Sequence, residues 1–375
     1  MSLTRFYLDH ASTSPVRPEA IDAMVACLRT PTGDPGRLHT EAMHSRAAIE
    51  HARDQVAALV GARSREVVFT SGATEAIMTA VQGAVPHGGH VVCSAVEHRA
   101  VRDAAERRGE VTVVGVDACG RVDPDELLAA VRSDTALVNV QWANHEVGTT
   151  QPIADIASRC REAGVLLHVD AAQAVGHLPV AFDHLGIDLL SFSGHKFGAP
   201  PGAGALLVRR GLRIEPLLVG GDQERARRAG LENTPAILGL GAACAALADG
   251  GLESEAARAH ELTERAAAGL DALPGVARYG HRLLRAPHIV CVGFAEVEPQ
   301  PVLLGLDRAG VAVHSGSACS SESLEPSPVL SAMGVDAARS LRVSVGWDST
   351  EADVDALLRH LPDVLADLRS LRSDT

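Results

Sequence analysis

Lysine is almost absent from this chain of 375 residues. Among 34 basic residues it occurs once, as Lys196 in the run SFSGHKFGAPPG, and arginine supplies every other fixed cation. Salt bridges and helix-end charges are therefore served by guanidinium groups, and the remaining lysine is expected to do what a guanidinium cannot. Arginine stays protonated, whereas a lysine amine can lose its proton and form a Schiff base with an aldehyde. A leftover surface lysine is the plainer alternative, but Ser193, Gly194, His195 and the glycines that follow describe a cramped loop and not an open helix face. Aromatic side chains are also scarce, at 3% of the chain, so the core has to be built from Ala, Val, Leu and Ile. Cationic excess is lacking too. The formal net charge of −13 argues against a direct nucleic-acid surface, which needs clustered cations to displace counterions from phosphates. No uninterrupted apolar stretch reaches membrane-spanning length, and MSLTRFYLDHAS lacks the apolar core of a signal peptide, so a cytoplasmic protein without a membrane partner is expected. Paired cysteine motifs are missing as well. Cys27, Cys93, Cys119, Cys160, Cys244, Cys291 and Cys319 contain no CxxC, and neither a disulfide framework nor a metal site is indicated.

The chain is long for one core, which suggests a large domain with a smaller companion. From about residue 54 to residue 210, short β-branched runs alternate with amphipathic stretches, the pattern of an α/β protein whose mostly parallel sheet is covered on both faces. The expected strands are REVVFT, HVVCS, VTVVGV, ALVNVQ, VLLHVD and IDLLSFS. Helix starts stand between them, at Asp123 followed by Pro124 and at Pro152. Near ALADGGLESE the alternation stops and a long Ala/Glu/Arg helix begins, placing a domain boundary there. The remainder, with HIVCVGF, VAVHSGSACSS, RVSVGW and a helix from Thr350 to about Leu371, suggests a small α+β domain.

Several residues carry possible chemistry. FTSGATEAIM reads as a strand, a small-residue turn at Ser71 to Ala73 and a helix from about Thr74, whose free N–H groups and positive dipole end could cradle a phosphate, although many such turns are merely conformational. Asp170 ends a strand where open α/β sheets place ligand-binding residues, with Gln173 one turn later; a simple helix cap is the alternative. Beside a reactive lysine its value rises, since a carboxylate that keeps a pyridine nitrogen protonated, an amine and a phosphate cradle are the parts pyridoxal phosphate needs. His98 opens a helix after HVVCS and could stack on such a ring and move protons, or be structural. Arg342 lies among apolar neighbours on an expected strand and calls for a partner, a substrate carboxylate being one. Cys319 sits in HSGSACSSESLEP, a small polar loop suited to a travelling thiolate, while the other six cysteines are expected to be buried in helices and strands.

Together, YLDHASTSPV, FTSGATE, VEHRAV, ANHEVGT, HVDAAQAVG, DLLSFSGHKFG, GGDQERARRAG, SGSACSSESLEPSPVL and SLRVSVG resemble, in order, the cysteine desulfurases of the NifS/IscS type, within the class V aminotransferase family of fold-type I pyridoxal-phosphate enzymes. The resemblance covers essentially the whole chain. It implies that Lys196 holds the coenzyme covalently, that Ala73, Thr74, Ser193 and His195 bind its phosphate, that Asp170 faces the pyridine nitrogen and Gln173 the ring hydroxyl, and that His98 stacks on the ring. Arg342 would grip the carboxylate of L-cysteine, and Cys319 would accept its sulfur as a persulfide, leaving L-alanine and passing the sulfur to an acceptor protein. The implied fold is a large coenzyme domain, residues 13–250, with a small domain of residues 1–12 and 251–375, working as a homodimer. Four positions depart from the family's pattern: His145 replaces an Asn that contacts the ring hydroxyl, Leu231 a Thr that reaches the partner's phosphate, Asp34 an Asn that helps hold the substrate carboxylate, and His314 a Ser. A selenocysteine lyase or aminotransferase of the same fold is one alternative, and the departures at Asp34, His145 and Leu231 motivate another, a catalytically weakened partner in a sulfur-transfer complex. The sulfur's destination, iron–sulfur clusters, tRNA, DNA or a metabolite, is not readable from the chain.

Overall fold

The structure, a computed structural model, describes residues 4–315 and 326–373. Its strands are β1 (Phe6–Tyr7), β2 (Val67–Thr70), β3 (His90–Ser94), β4 (Glu110–Val114), β5 (Thr135–Gln141), β6 (Leu166–Asp170), β7 (Leu189–Ser193), β8 (Gly204–Val208), β9 (Val276–Tyr279), β10 (Ile289–Phe294), β11 (Val311–Ala312) and β12 (Ser340–Ser344). The six runs expected from the sequence form β2 to β7. Seven strands make the main sheet in the order β2-β8-β7-β6-β5-β3-β4. From β7 to β4 all neighbours are parallel, whereas β8 runs antiparallel between β7 and β2. Every residue of β2, β3, β7 and β8 is buried, as continuous apolar runs covered on both faces require. β8 lies outside the expected strands because its GALLV follows a run of Gly and Pro that reads as a loop.

The sheet interior is not wholly apolar. The Nδ1 of His168 on β6 donates to Asn139 Oδ1 on β5 at 2.8 Å, its Nε2 accepts from Ser191 on β7 at 2.8 Å, and Asn139 donates to Cys93 Sγ on β3 at 3.6 Å. This chain ties four adjacent strands together, and burial depresses His168 to about 3, so it stays neutral.

A second apolar core gathers Leu8, Leu262, Leu270, Val290, Val292, Leu341, Val343, Leu357 and Leu361. It lies on the antiparallel sheet β12-β10-β9 under the helices Gly251–Asp271 and Glu351–Ser373, the second of which fits the helix expected from Thr350. β1 pairs in parallel with β11, and Asp9 bridges to Ser344, so residues near the start of the chain are woven into elements more than 300 residues later. One cysteine expectation is corrected. Cys27, Cys93, Cys160, Cys244 and Cys291 are buried, but Cys119 is partly exposed in the turn Asp117–Gly120, because the Asp117 carboxylate draws the Cys119 and Arg121 N–H groups around itself. Among the described residues no helix is long and apolar enough to cross a membrane.

Candidate active site

The carboxyl ends of β2, β5, β6 and β7 open onto a cavity of about 490 Å³. Lys196 lines it, carried on the single helical turn Gly194–Lys196 that follows β7. Its Nζ donates to the carbonyls of Ala11 at 2.7 Å and Ser12 at 2.9 Å, so the one lysine is held across the cavity by the segment after β1. On one side is the helix Ala73–Ala84, with Ala73 and Thr74 at the cavity. Gly72 before it has φ 153°, and a Cβ there would lie 3.3 Å from Ser193 Oγ, so the missing side chain keeps the gap between helix and strand open. Nearby, Glu75 accepts from Ser71 N at 2.8 Å and Arg228 Nε at 2.9 Å. Burial pushes its carboxyl up, and the bonds from Arg228 and Ser71 more than offset this, leaving it below the usual range.

Asp170 ends β6 inside the cavity, accepting from Ala172 N at 2.9 Å, and desolvation raises its carboxyl. Gln173, one turn on, also faces the cavity, but both ends of its amide are engaged: Nε2 donates to Ala11 O at 2.8 Å and Oε1 meets His288 Nε2 at 3.0 Å. His98 caps the helix Arg99–Arg108, accepting from Ala100 N at 3.1 Å through Nδ1, and its ring meets that of His145 edge-on with centroids 5.2 Å apart. Burial, then any charge on His98 and the charges of Arg342 and Lys196, hold His145 far below the ordinary histidine range, and its Nδ1 is buried without a protein partner. His195 is lowered to about 4 by burial and by Lys196. Arg342 on β12 reaches the cavity with its guanidinium already braced: Nη2 bonds Asp9 Oδ1 at 2.8 Å and Ser12 Oγ at 2.7 Å, Nη1 bonds His145 O at 2.7 Å, and Nε is buried without a partner.

Ten of the expected residues, Lys196, His98, Ala73, Thr74, His145, Asp170, Gln173, Ser193, His195 and Arg342, thus line one cavity. Asp34 does not line it; its carboxylate accepts from Gly36 N at 2.9 Å and pairs with Arg37 at 3.1 Å. Cys319 lies outside the described residues. Leu231 is on the surface, and His314 is drawn to β12, accepting Arg342 N at 2.7 Å through its carbonyl.

Sequence reasoning passes over two buried acids. Glu97, beside His98, accepts from Ser94 Oγ at 2.5 Å and Gln141 N at 2.8 Å, and desolvation pushes it up to about 8. Glu146, beside His145, accepts from Ser327 Oγ at 2.5 Å and is pushed up to about 7 by burial. The available signal is that each is the acid preceding or following a site histidine within a motif, EH and HE. The cavity therefore offers an amine, a helix N-terminus and a buried carboxylate arranged around one space, with neutral imidazoles between them.

The family described as Aminotransferase class-V matches residues 6–357. The cysteine desulfurase IscS of Methanosarcina thermophila is 42% identical over 97% of this chain and 93% of its own length. The IscS-like cysteine desulfurase of Mycobacterium tuberculosis is 43% identical over 97% of each. Among solved structures, a NifS-like protein superposes with a TM-score of 0.90 at 30% identity, covering 97% of this chain and 100% of that one. The chain belongs to the pyridoxal-phosphate-dependent class-V aminotransferase family, to its cysteine desulfurases of the IscS and NifS type.

Proposed function

We propose that this cavity removes sulfur from L-cysteine, leaving L-alanine, and that the thiolate of Cys319 takes the sulfur as a persulfide and hands it to an acceptor protein. The observation that carries the reading is the solitary Lys196 amine, facing the same cavity as a buried acid at the end of β6 and the helix start behind Gly72. The residues fit pyridoxal phosphate: Gly72 leaves a cradle that a Cβ would crowd, and His145 Nδ1 and Arg342 Nε are buried polar atoms without partners. When bound, the coenzyme withdraws electrons from the substrate's α-carbon and so eases cleavage at its side chain. Lys196 would hold it covalently and, once released, carry protons; its present acceptors, the Ala11 and Ser12 carbonyls, would be exchanged on attachment. Ala73, Thr74, Ser193 and His195 would surround the phosphate, with His195 neutral and donating. Asp170 would keep the ring nitrogen protonated, and His98 would stack and relay protons. Gln173 and the neutral His145 would donate toward the ring hydroxyl. Arg342, braced by Asp9 and Ser12, would present what remains of its fork to the substrate carboxylate. Asp34 pairs with Arg37 instead and has no part in this reading.

The homodimer, the cytoplasmic location and the division into residues 13–250 against 1–12 and 251–375 belong to the same proposal. The apolar core around Leu8, Leu262, Val290 and Leu357 supports the division, and exposed Val219 and Leu231 support a second copy of the chain. Purified chain supplied with pyridoxal phosphate should release alanine and sulfide from L-cysteine in equal amounts under reductant. Lys196→Ala should lose both the coenzyme absorbance band and turnover, and Cys319→Ser should lose protein-bound persulfide. Turnover unaffected by Lys196→Ala would overturn the reading.

A further inference from the structure

Behind Gln173 and Lys196, away from the cavity, lie two stacked histidines. The rings of His177 and His288 are 3.6 Å apart and within 14° of parallel, and His288 is fully buried. Neither lines the cavity, yet each touches a residue that does. His288 Nε2 is 3.0 Å from Gln173 Oε1, and His177 Nε2 is 3.3 Å from the carbonyl of Lys196.

The proton positions follow from the partners. Ala11 O can only accept, so the Gln173 atom 2.8 Å from it is the amide nitrogen, and the atom facing His288 is the oxygen. An amide oxygen also only accepts, so His288 carries its proton on Nε2 and leaves Nδ1 bare. That Nδ1 is buried without a partner, which suits an unprotonated nitrogen far better than a second N–H. His177 is likewise protonated on Nε2, since a carbonyl faces it. A parallel chain runs beside them. Gly346 N donates to Ser349 Oγ at 2.9 Å, Ser349 to His10 Nε2 at 3.1 Å, His10 Nδ1 to Ser14 Oγ at 3.0 Å, and Ser14 to the Lys196 carbonyl at 2.9 Å. Burial first, then any charge on His177 or His10 and the charges of Arg342 and Lys196, all oppose a second proton on the His288 ring.

We infer that the His177–His288 stack is a positioning unit, in which His288 holds the Gln173 amide with its NH2 toward the cavity while His177 fixes the backbone of Lys196. Without the His288 donor, only the Ala11 carbonyl opposes a turn of the Gln173 amide that would point its oxygen inward, where it would oppose a coenzyme oxyanion instead of donating to it. The inference rests on the coenzyme reading above and adds two residues that do not touch the coenzyme.

Apo-protein of wild type, His288→Leu, His288→Gln and His177→Phe can be titrated with pyridoxal phosphate, and the absorbance of the loaded proteins followed against pH. His288→Leu should bind about tenfold more weakly, the scale of one buried hydrogen bond lost with its partner left unpaired, and its pH midpoint should move. His288→Gln, whose amide nitrogen can replace Nε2 as donor, should restore both, and His177→Phe, which keeps a stacked ring without the donor, should disturb the midpoint. Nitrogen NMR of histidine-labelled wild type should show His288 with Nε2 protonated and Nδ1 bare across the same pH range, a test that needs no variant to fold. Wild-type affinity and midpoint in folded His288→Leu, a Gln variant as impaired as Leu, an unmoved midpoint in His177→Phe, or a cationic His288 would each overturn the inference. Failure of the wild type itself to bind pyridoxal phosphate would overturn the functional reading instead.

Discussion

At the scale of single residues, charge suppression dominates the site. Glu146 sits at about 7 instead of near its ordinary 4.5 because burial penalises the carboxylate. Between those values the folded chain keeps a proton that the unfolded chain has released, so wild type loses stability as pH rises toward and through about 7. Glu146→Gln removes that titration while still accepting from Ser327. Its stability advantage over wild type should therefore grow from below pH 4.5 to above pH 7, by about 3 kcal/mol. Denaturant unfolding on both sides of the window checks this, and an advantage that shrinks with rising pH would sink it. Gly72→Ala asks a Cβ to occupy a φ of 153° beside Ser193. Strain of about 1–3 kcal/mol should appear as a loss of phosphate-dependent coenzyme affinity of about tenfold, measurable by equilibrium titration. Lys196, Asp170 and His98 were legible in the sequence because rarity, strand-end position and helix-start position each signal chemistry. Glu97 and Glu146 were not, since an acid's burial depends on what packs over it, and Gln173 gave no sign that His288 would hold its oxygen.

Among the elements, the segment after Asp222 carries a local conflict. Glu224, Arg225 and Ala226 all have positive φ, at 49°, 60° and 61°, a conformation disfavoured for residues with a Cβ. What holds it is a buried fork: Arg53 Nη1 and Nη2 reach Glu224 Oε2 at 2.6 Å and Oε1 at 2.7 Å, Phe69 N donates to the same carboxylate at 2.9 Å, and the guanidinium lies over the Phe69 ring. Glu224→Ala would strip the buried Arg53 of its forked partner, leaving it only Glu50 at 3.1 Å and the Val67 carbonyl at 3.0 Å, and should cost about 3 kcal/mol. It should also speed proteolysis within residues 222–232 more than elsewhere, as mapped by mass spectrometry of a limited digest. The six expected strands were readable because each is a short β-branched run between turn signals. The antiparallel β8 was hidden by its Gly/Pro-rich approach, and neither the order of strands in the sheet nor the bends around Glu224 can be inferred from local pattern, because both are settled by partners distant in sequence.

For the molecule as a whole, surface chemistry divides into two kinds. The formal charge of −13 keeps copies apart in general, while Val219 and Leu231, 79% and 63% exposed, leave apolar side chains in water close to the strained segment. Sedimentation should give a dimer, and Val219→Asp should weaken the association by at least tenfold if that face is covered by a second copy, burying a carboxylate where an apolar contact stood. An unchanged dimer would place the interface elsewhere. The mostly parallel α/β class and the break in pattern near residue 250 were visible in the sequence. That the second core would enlist Leu8 was not a matter of pattern at all, but came with the family resemblance.

The pairing of β1 with β11, and of Asp9 with Ser344 and Arg342, also has a bearing on biosynthesis. The carbonyls that seat the Lys196 amine leave the ribosome before the main sheet does, and the strands that anchor their segment leave about 300 residues after them. A nascent chain therefore has its main sheet in hand well before its reactive amine has a fixed seat, and competence to capture a coenzyme should arise abruptly once β11 and β12 have been made and not gradually as the sheet grows.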